Sequence, residues 1–399
     1  MSALSHTGFR AYFLAAVPLV QALWAQRVTL GWLAWEVSGS AAFVGLIAAL
    51  GLAPMLISGP IFGVLVDRAD IRRALILTSA TMALLLALAA VLAGGPGLGR
   101  WGLAVIAVAV GIVTSAHHPV RMSLGPRLVP RAEVPNVVAL SALNFNLARL
   151  TAPVLTGLAL ATVGAVATLW VSAALYLPML LATRWMAPRA LPVSAGTGSV
   201  LSGIMDGMRF ILTVPIARRA MILTAAMAIM VRGYLELLPV MAEGVHGRGA
   251  EGLGWLTAAA GAGALVAALV KTREAPGAID DVPLMLRVTL IAGVVVLIPM
   301  GLAQSWAAAL VWTGMLGFTS TYCGVTLQAL VQVNLPDDLR GRVMSLWVVV
   351  GIGAVAIGSG GLGLLAGAFG LPVTLVGAGL IGGLVTAALV LPSGPKRTS

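Results

Sequence analysis

GVLVDRADIRRAL, residues 63–75, sets two acidic and three basic residues within the seven positions from Asp67 to Arg73, between two long apolar runs. Upstream the chain is apolar over 41–66, and downstream over 73–93. A hydrocarbon core of about 30 Å is crossed by about 20 residues of helix at 1.5 Å each. Both runs are long enough to cross, so the charged stretch reads as a short turn at a membrane face.

The same alternation extends in both directions. Apolar spans are expected near 10–36, 41–66, 73–93, 102–123, 136–162, 164–186, 219–242, 252–272, 284–302, 306–332, 343–369 and 371–392, broken at charged or Gly/Pro-rich points such as GGPGLGR and LPDDLRGR. Hydrophobic residues make up 60% of the 399 positions and charged ones only 9%, which is too few to cover a water-soluble surface. The first span carries Gln21, Gln26 and Arg27 and has the length of a full crossing, so it is expected to stay in the membrane.

Lys and Arg near span ends are retained on the cytoplasmic side. With the N terminus inside, 19 of the 24 basic residues fall on that face, Arg100 and Arg248 fall outside, and Arg27, Arg149 and Arg232 fall within spans. Both termini are then cytoplasmic, in a bacterial inner membrane. The net charge of +11 follows from this asymmetry and calls for no nucleic-acid partner. Cys323, the single cysteine, excludes an internal disulfide and a thiolate metal cluster.

A shift of 206 residues superimposes the two halves without a gap. Pro130 falls on Pro336, Leu140 on Leu346, Gly157 on Gly363, Gly164 on Gly370, and Thr168-Leu169 on Thr374-Leu375. The fold class is therefore an all-α polytopic membrane protein, twelve transmembrane helices in two pseudo-symmetric six-helix bundles. The expected division is 1–186, a cytoplasmic linker at 187–218, and 219–399. Within the linker, Asp206 to Thr213 reads either as a segment lying on the membrane surface or as plain linker. Parallel repeats of this kind place a substrate cavity near the bilayer midplane.

GVLVDRADIRRAL resembles the signature loop of the major facilitator superfamily: a Gly, an Asp four residues on, then a basic cluster. FRAYFLAAVPLVQALWAQRVTLGWLAWEVSGSA, LVPRAEVPNVVALSALNFNLARLTAPVLTG, GYLELLPVMAEGVHGRGAEGLGWL and LPDDLRGRVMSLW resemble its branch of enterobactin exporter, transmembrane secretion effectors and macrolide efflux pumps. The resemblance implies the major facilitator fold and a cytoplasmic gate of Gly63, Asp67, Arg68, Asp70, Arg72 and Arg73 with Arg340 and Arg342 of the eleventh helix. Asp70 is placed to cap the third helix. The other reading of the basic residues is that they only set topology.

Ionisable groups inside a span cost about 2.5–3.5 kcal/mol each and so mark functional candidates. They are Arg27, Arg149, Arg232, Glu236 and, at the outer end of the first span, Glu36. On a regular helix Arg232 and Glu236 share a face, at depths of about 20 and 26 Å counted from Arg219. The pair reads as a proton-exchanging carboxylate with its arginine, or as a static salt bridge. The three arginines also suit an anionic substrate. Gln21, Trp24, Thr321, Tyr322 and Gln328 are candidates for a cavity wall, with helix-to-helix hydrogen bonding as the alternative. His117 and His118 are expected to face loop water, with a pH-sensitive gate as the other reading.

No nucleotide, metal or catalytic motif is present, so no cofactor is expected and the chain is not an enzyme. The expected function is proton-coupled export of a small amphipathic or anionic compound, siderophore-like or antibiotic-like, by a monomer whose partners are substrate, protons and lipid. The alternatives are an importer or lipid flippase of the same fold, or a transport-inactive sensor or assembly subunit.

Overall fold

Helices occupy all twelve expected spans in the computed structural model, which describes residues 2–68, 70–95, 97–189, 200–273, 283–333, 335 and 339–390, with side chains described except at 57–61, 63–68, 200–204, 340 and 341. In chain order they are α1 (Thr7–Ser38), α2 (Ala41–Arg68), α3 (Ile71–Ala93), α4 (Arg100–Arg127), α5 (Val134–Ala174), α6 (Leu177–Ala182), α7 (Val200–Thr213), α8 (Pro215–Met227), α9 (Gly233–Leu235), α10 (Gly249–Arg273), α11 (Leu284–Val295), α12 (Leu297–Gly301), α13 (Trp306–Val333), α14 (Arg340–Phe369) and α15 (Leu371–Val390). Among the described residues there is no strand. Among the described residues eight helical stretches qualify as crossings by length and apolarity alone, or nine with a bent pair; Arg131–Trp185 counts as one although it breaks at Gly164, and Ala41–Leu56 counts only as a shorter apolar helix.

The repeat is visible in the backbone. Gly164 divides the fifth span from the sixth at φ 79°, ψ 172°, and Gly370 divides the eleventh from the twelfth at φ 81°, ψ 150°. This conformation is essentially closed to residues with a Cβ. After each break a threonine hydroxyl donates to the glycine carbonyl, Thr168 to Gly164 at 2.7 Å and Thr374 to Gly370 at 2.9 Å. Leu169 and Leu375, which follow, are fully buried. One local solution thus occurs twice, 206 residues apart.

The chain forms two compact units. The first comprises Met1–Ala195 with Leu238–Ala258. In it α1 packs on α5 and α2 on α4. The end of the seventh span and the start of the eighth join this unit: Gly254 of α10 lies against Gly157 of α5, and the Trp35 ring covers Gly244. Small residues at such crossings let backbones approach where lipid offers no hydrophobic drive.

The second unit comprises Gly196–Leu237 with Ala259–Ser399. In it α14 packs along the seventh span, with Gly233 set against Gly358 and Ser359 and Gly358 against Ile229. α11, α12 and α15 pack together, and α13 lies against α8 and α11.

Candidate functional site

In the first unit Gln21, Trp24 and Arg27 follow one another at three-residue spacing along α1, and Gln21 and Trp24 lie against α5. The Gln21 amide donates to the Thr151 hydroxyl at 2.8 Å, and the Trp24 ring lies 5.6 Å from that of Phe145. The Arg27 guanidinium sits 6.0 Å from the Trp24 ring, while Arg121 of α4 sits 5.9 Å from the Phe145 ring. An aromatic pair is thus flanked by a cation at each end. Arg149 follows Phe145 by four residues, one turn along the same face of α5, and is half-buried. Gln21 Oε1 is buried with no hydrogen-bond partner among the described residues.

Phe145 and Arg121 were not singled out by the charge and polarity of the sequence alone. Arg121 counts there as a topology residue at a span end, yet it is only 7% exposed. Its signal is the i, i+4 spacing from His117, which puts both on the inner face of α4.

His117 departs from the expectation of loop water. It is 1% exposed, with Nδ1 3.0 Å from the Thr78 hydroxyl and its ring edge-on to Tyr176. The Tyr176 hydroxyl donates to Gln26 Oε1 at 3.1 Å, and Tyr12 donates to the Arg121 carbonyl at 2.9 Å. The reason is packing: Thr78 of α3 and Tyr176, which precedes α6, close over His117, while His118 and Met122 on α4 stay exposed as expected of residues facing outward. These bonds satisfy the Tyr12 and Tyr176 hydroxyls, which hydrocarbon cannot solvate, whereas His117 Nε2 and Arg121 Nε are buried with no hydrogen-bond partner among the described residues.

The seventh span in the second unit is not a regular α-helix. Ala228–Arg232 is a π-helix, Gly233–Leu235 a single α turn, and Val240–Val245 again π. Between them the ladder tightens, with Glu236 N–H donating to the Gly233 carbonyl and Leu237 N–H to that of Tyr234. The shared face and depths expected for Arg232 and Glu236 assumed a uniform helix, whereas π turns lie on either side of the short α turn between them. Arg232 is exposed and Glu236 half-buried. Irregular turns within a span recur at transporter binding sites, because they present backbone groups as well as side chains.

At the signature loop Asp70 caps α3, accepting from the N–H groups of Arg72 at 3.0 Å and Arg73 at 3.2 Å. Arg73 also pairs with the Asp70 carboxylate at 3.5 Å, and both are exposed. The side chains of Gly63, Asp67, Arg68 and Arg340 lie outside the described residues. Arg342 forms a 2.8 Å ion pair with Asp206 of α7, a partner the sequence had not matched to it.

Glu36 is exposed at the rim of a cavity of about 220 Å³ lined by Leu33, Val37, Ala93 and Leu98. Thr321 and Gln328 are half-buried on α13. Tyr322, expected on a cavity wall, is 1% exposed, stacked on Phe318, with the Lys271 ammonium 5.2 Å from its ring. Its packing between α10 and α13 makes it part of a helix interface. Among the described residues no three His, Cys, Asp or Glu side chains gather as a metal site.

A broken span and a repeated half are features of secondary transporters. The family model for transmembrane secretion effectors matches residues 1–397. The chain belongs to that family. Membership makes it a multi-pass membrane transporter of the major facilitator superfamily, with small-molecule cargo and no enzymatic role. The multidrug efflux pump Tap of Mycolicibacterium fortuitum is 28% identical over 372 residues, 88% of this chain and 87% of that protein. The enterobactin exporter EntS of Shigella boydii serotype 4 is 27% identical over 398 residues, 97% and 92% of the two chains. A bacterial homolog of the human lysosomal transporter Spinster, solved facing inward and unoccupied, superimposes with a TM-score of 0.75 at 15% identity, over 96% of each chain. The nucleoside transporter NupG superimposes at 0.72 and 9% identity, over 96% of this chain and 98% of its own. At those identities the solved structures speak for the fold alone.

Proposed function

We propose that this transporter exports a small amphipathic or anionic compound, siderophore-like or antibiotic-like, in exchange for protons, as a monomer in a bacterial inner membrane with both termini cytoplasmic. The observation that carries the proposal is end-to-end kinship with an enterobactin exporter and a multidrug efflux pump. The first unit supports the substrate class: Arg27, Trp24, Phe145 and Arg121 offer aromatic faces to a ring and guanidinium groups to an acid. Glu236 takes the proton-exchanging role, because it is a carboxylate in a span whose backbone is irregular on both sides of it. Arg232 and Arg149 contribute charge, Glu36 belongs to the outer interface, and the loop from Gly63 to Arg73 serves as the cytoplasmic gate with Arg340 and Arg342.

Acid-loaded inside-out vesicles containing a pH-sensitive dye test this directly. Adding a catecholate siderophore or a macrolide is expected to release protons with wild type and not with Glu236→Gln at equal levels of inserted protein. Release by both proteins would remove Glu236 from coupling. Silence from both, with uptake in whole cells, would instead favour an importer.

A further inference from the structure

The groove between α1 and the sixth span is polar at one end and apolar below. On α1, Thr7, Arg10 and Leu14 follow at spacings of three and four residues, so they stand one above another on one face. The sixth span ends at the same membrane face, and its Pro178, Ala182 and Trp185 repeat the order in reverse, at the same spacings. α1 packs on α6 and on the 3₁₀ turn Thr183–Trp185 that follows it. The approach is close, since a Cβ on Gly8 would stand 3.3 Å from the Trp185 carbonyl oxygen. Between the two walls lies a cavity of about 460 Å³, lined by these six residues and the alanines of α1 beside them.

Charge and apolarity divide this cavity by depth. Arg10 and Trp185 are exposed at its mouth, and the Arg184 guanidinium lies 3.8 Å from the centre of the Trp185 ring. Among the described residues neither arginine has an ion pair or a side-chain hydrogen bond, whereas Arg73 and Arg342 each meet an aspartate. The planar forks of Arg10 and Arg184 are therefore available to acid oxygens, and phosphate is the anion whose geometry such a fork matches best. One turn deeper, Leu14 is 65% exposed and Leu181, beside Ala182, 61%, so the surface continues as hydrocarbon-facing. A water-soluble anion has no use for that lower half. An acidic phospholipid uses both, and the tryptophan stands at the level where such rings settle in an interface.

We propose that this groove holds one anionic phospholipid of the cytoplasmic leaflet, its phosphodiester taken by Thr7, Arg10 and Arg184 and an acyl chain laid along Leu14 and Pro178. Basic pockets between spans on the cytoplasmic side take acidic headgroups by the same attraction. Naming the leaflet rests on the proposed topology; the site itself depends on neither the substrate nor the direction of transport.

The test uses delipidated full-length protein in a neutral detergent, into which phosphatidylglycerol is titrated while bound lipid is counted by mass spectrometry of the intact complex. Arg10→Gln combined with Arg184→Gln is expected to weaken the tightest phosphatidylglycerol adduct by about 5- to 30-fold, the effect of one to two basic residues at an anionic surface. Removing the same charge elsewhere in the unit, through the exposed Arg131→Gln and Arg189→Gln, is expected to leave that adduct in place. Equal weakening by the two double variants would overturn the proposal, because any cation would then serve. Equally tight binding of zwitterionic phosphatidylethanolamine would overturn it too. Displacement of the lipid by excess inorganic phosphate would make this a site for a free anion instead. Should the Arg10, Arg184 double variant fail to elute as a single species, Arg10→Gln alone decides, and unweakened binding then overturns the proposal.

Discussion

Phe145 links groups that the sequence presents separately: Trp24 and Arg27 on one helix, Arg121 on another. An aromatic pair is worth about 0.5–1.5 kcal/mol beyond its buried area. If a substrate ring stacks there, Phe145→Ala raises the half-saturating concentration of an aromatic substrate by about 2- to 10-fold. An aliphatic substrate of similar charge should shift less, and equal shifts for both would mean that Phe145 only packs helices. The individual charges inside spans were legible because hydrocarbon penalises them wherever they stand. Their company was not, since which aromatic an arginine meets depends on helix rotation. His117 shows the same limit: it was expected near the end of a span facing loop water, but α4 runs on to Arg127 and Thr78 and Tyr176 close over the ring.

At the level of elements, Gly164 and Gly370 form a matched pair whose equivalence was readable as a 206-residue register and whose reason is a backbone conformation. Substitution by alanine forces a Cβ into a region that costs about 1–3 kcal/mol. Gly164→Ala and Gly370→Ala are therefore expected to lower the melting temperature in detergent by similar amounts, whereas an alanine at Gly99, which has an ordinary φ of −80° and open space around it, should not. No change at 164 or 370 would show that the breaks can relax. The break in the seventh span was less legible: Gly233 is a small residue among many, and nothing in the sequence marks that it meets Gly358 just after a π-turn. The Asp206–Arg342 pair, with both side chains about half exposed, contributes at most about 1 kcal/mol to stability. Asp206→Arg should thus leave the melting temperature nearly unchanged while speeding amide exchange across 205–213. Combining it with Arg342→Asp should restore protection, and failure of the double variant to do so would assign the hold of α7 on α14 to Gly207 alone.

For the molecule as a whole, the number and position of spans were legible because a bilayer sets helix length and tolerates few charges, and the family followed from motifs spread along most of the chain. Sidedness rests on a different force. Translocating a lysine or arginine against the positive-inside bias is disfavoured, and the effect accumulates over short loops. With 19 of 24 basic residues assigned to one face and two, Arg100 and Arg248, to the other, the bias predicts an orientation that depends on no single loop. A fluorescent protein that matures only in the cytoplasm, fused after Ser399, should be bright, and alkaline phosphatase at the same point inactive. A cysteine replacing Arg248 in the loop after the seventh span should react with a membrane-impermeant maleimide added to intact cells, whereas one replacing Arg73 should react only after lysis. Labelling of both in intact cells would mean dual insertion, which the charge asymmetry argues against. The reversed pattern would put the signature loop outside, and the proposed cytoplasmic gate and the direction of export would be reversed together.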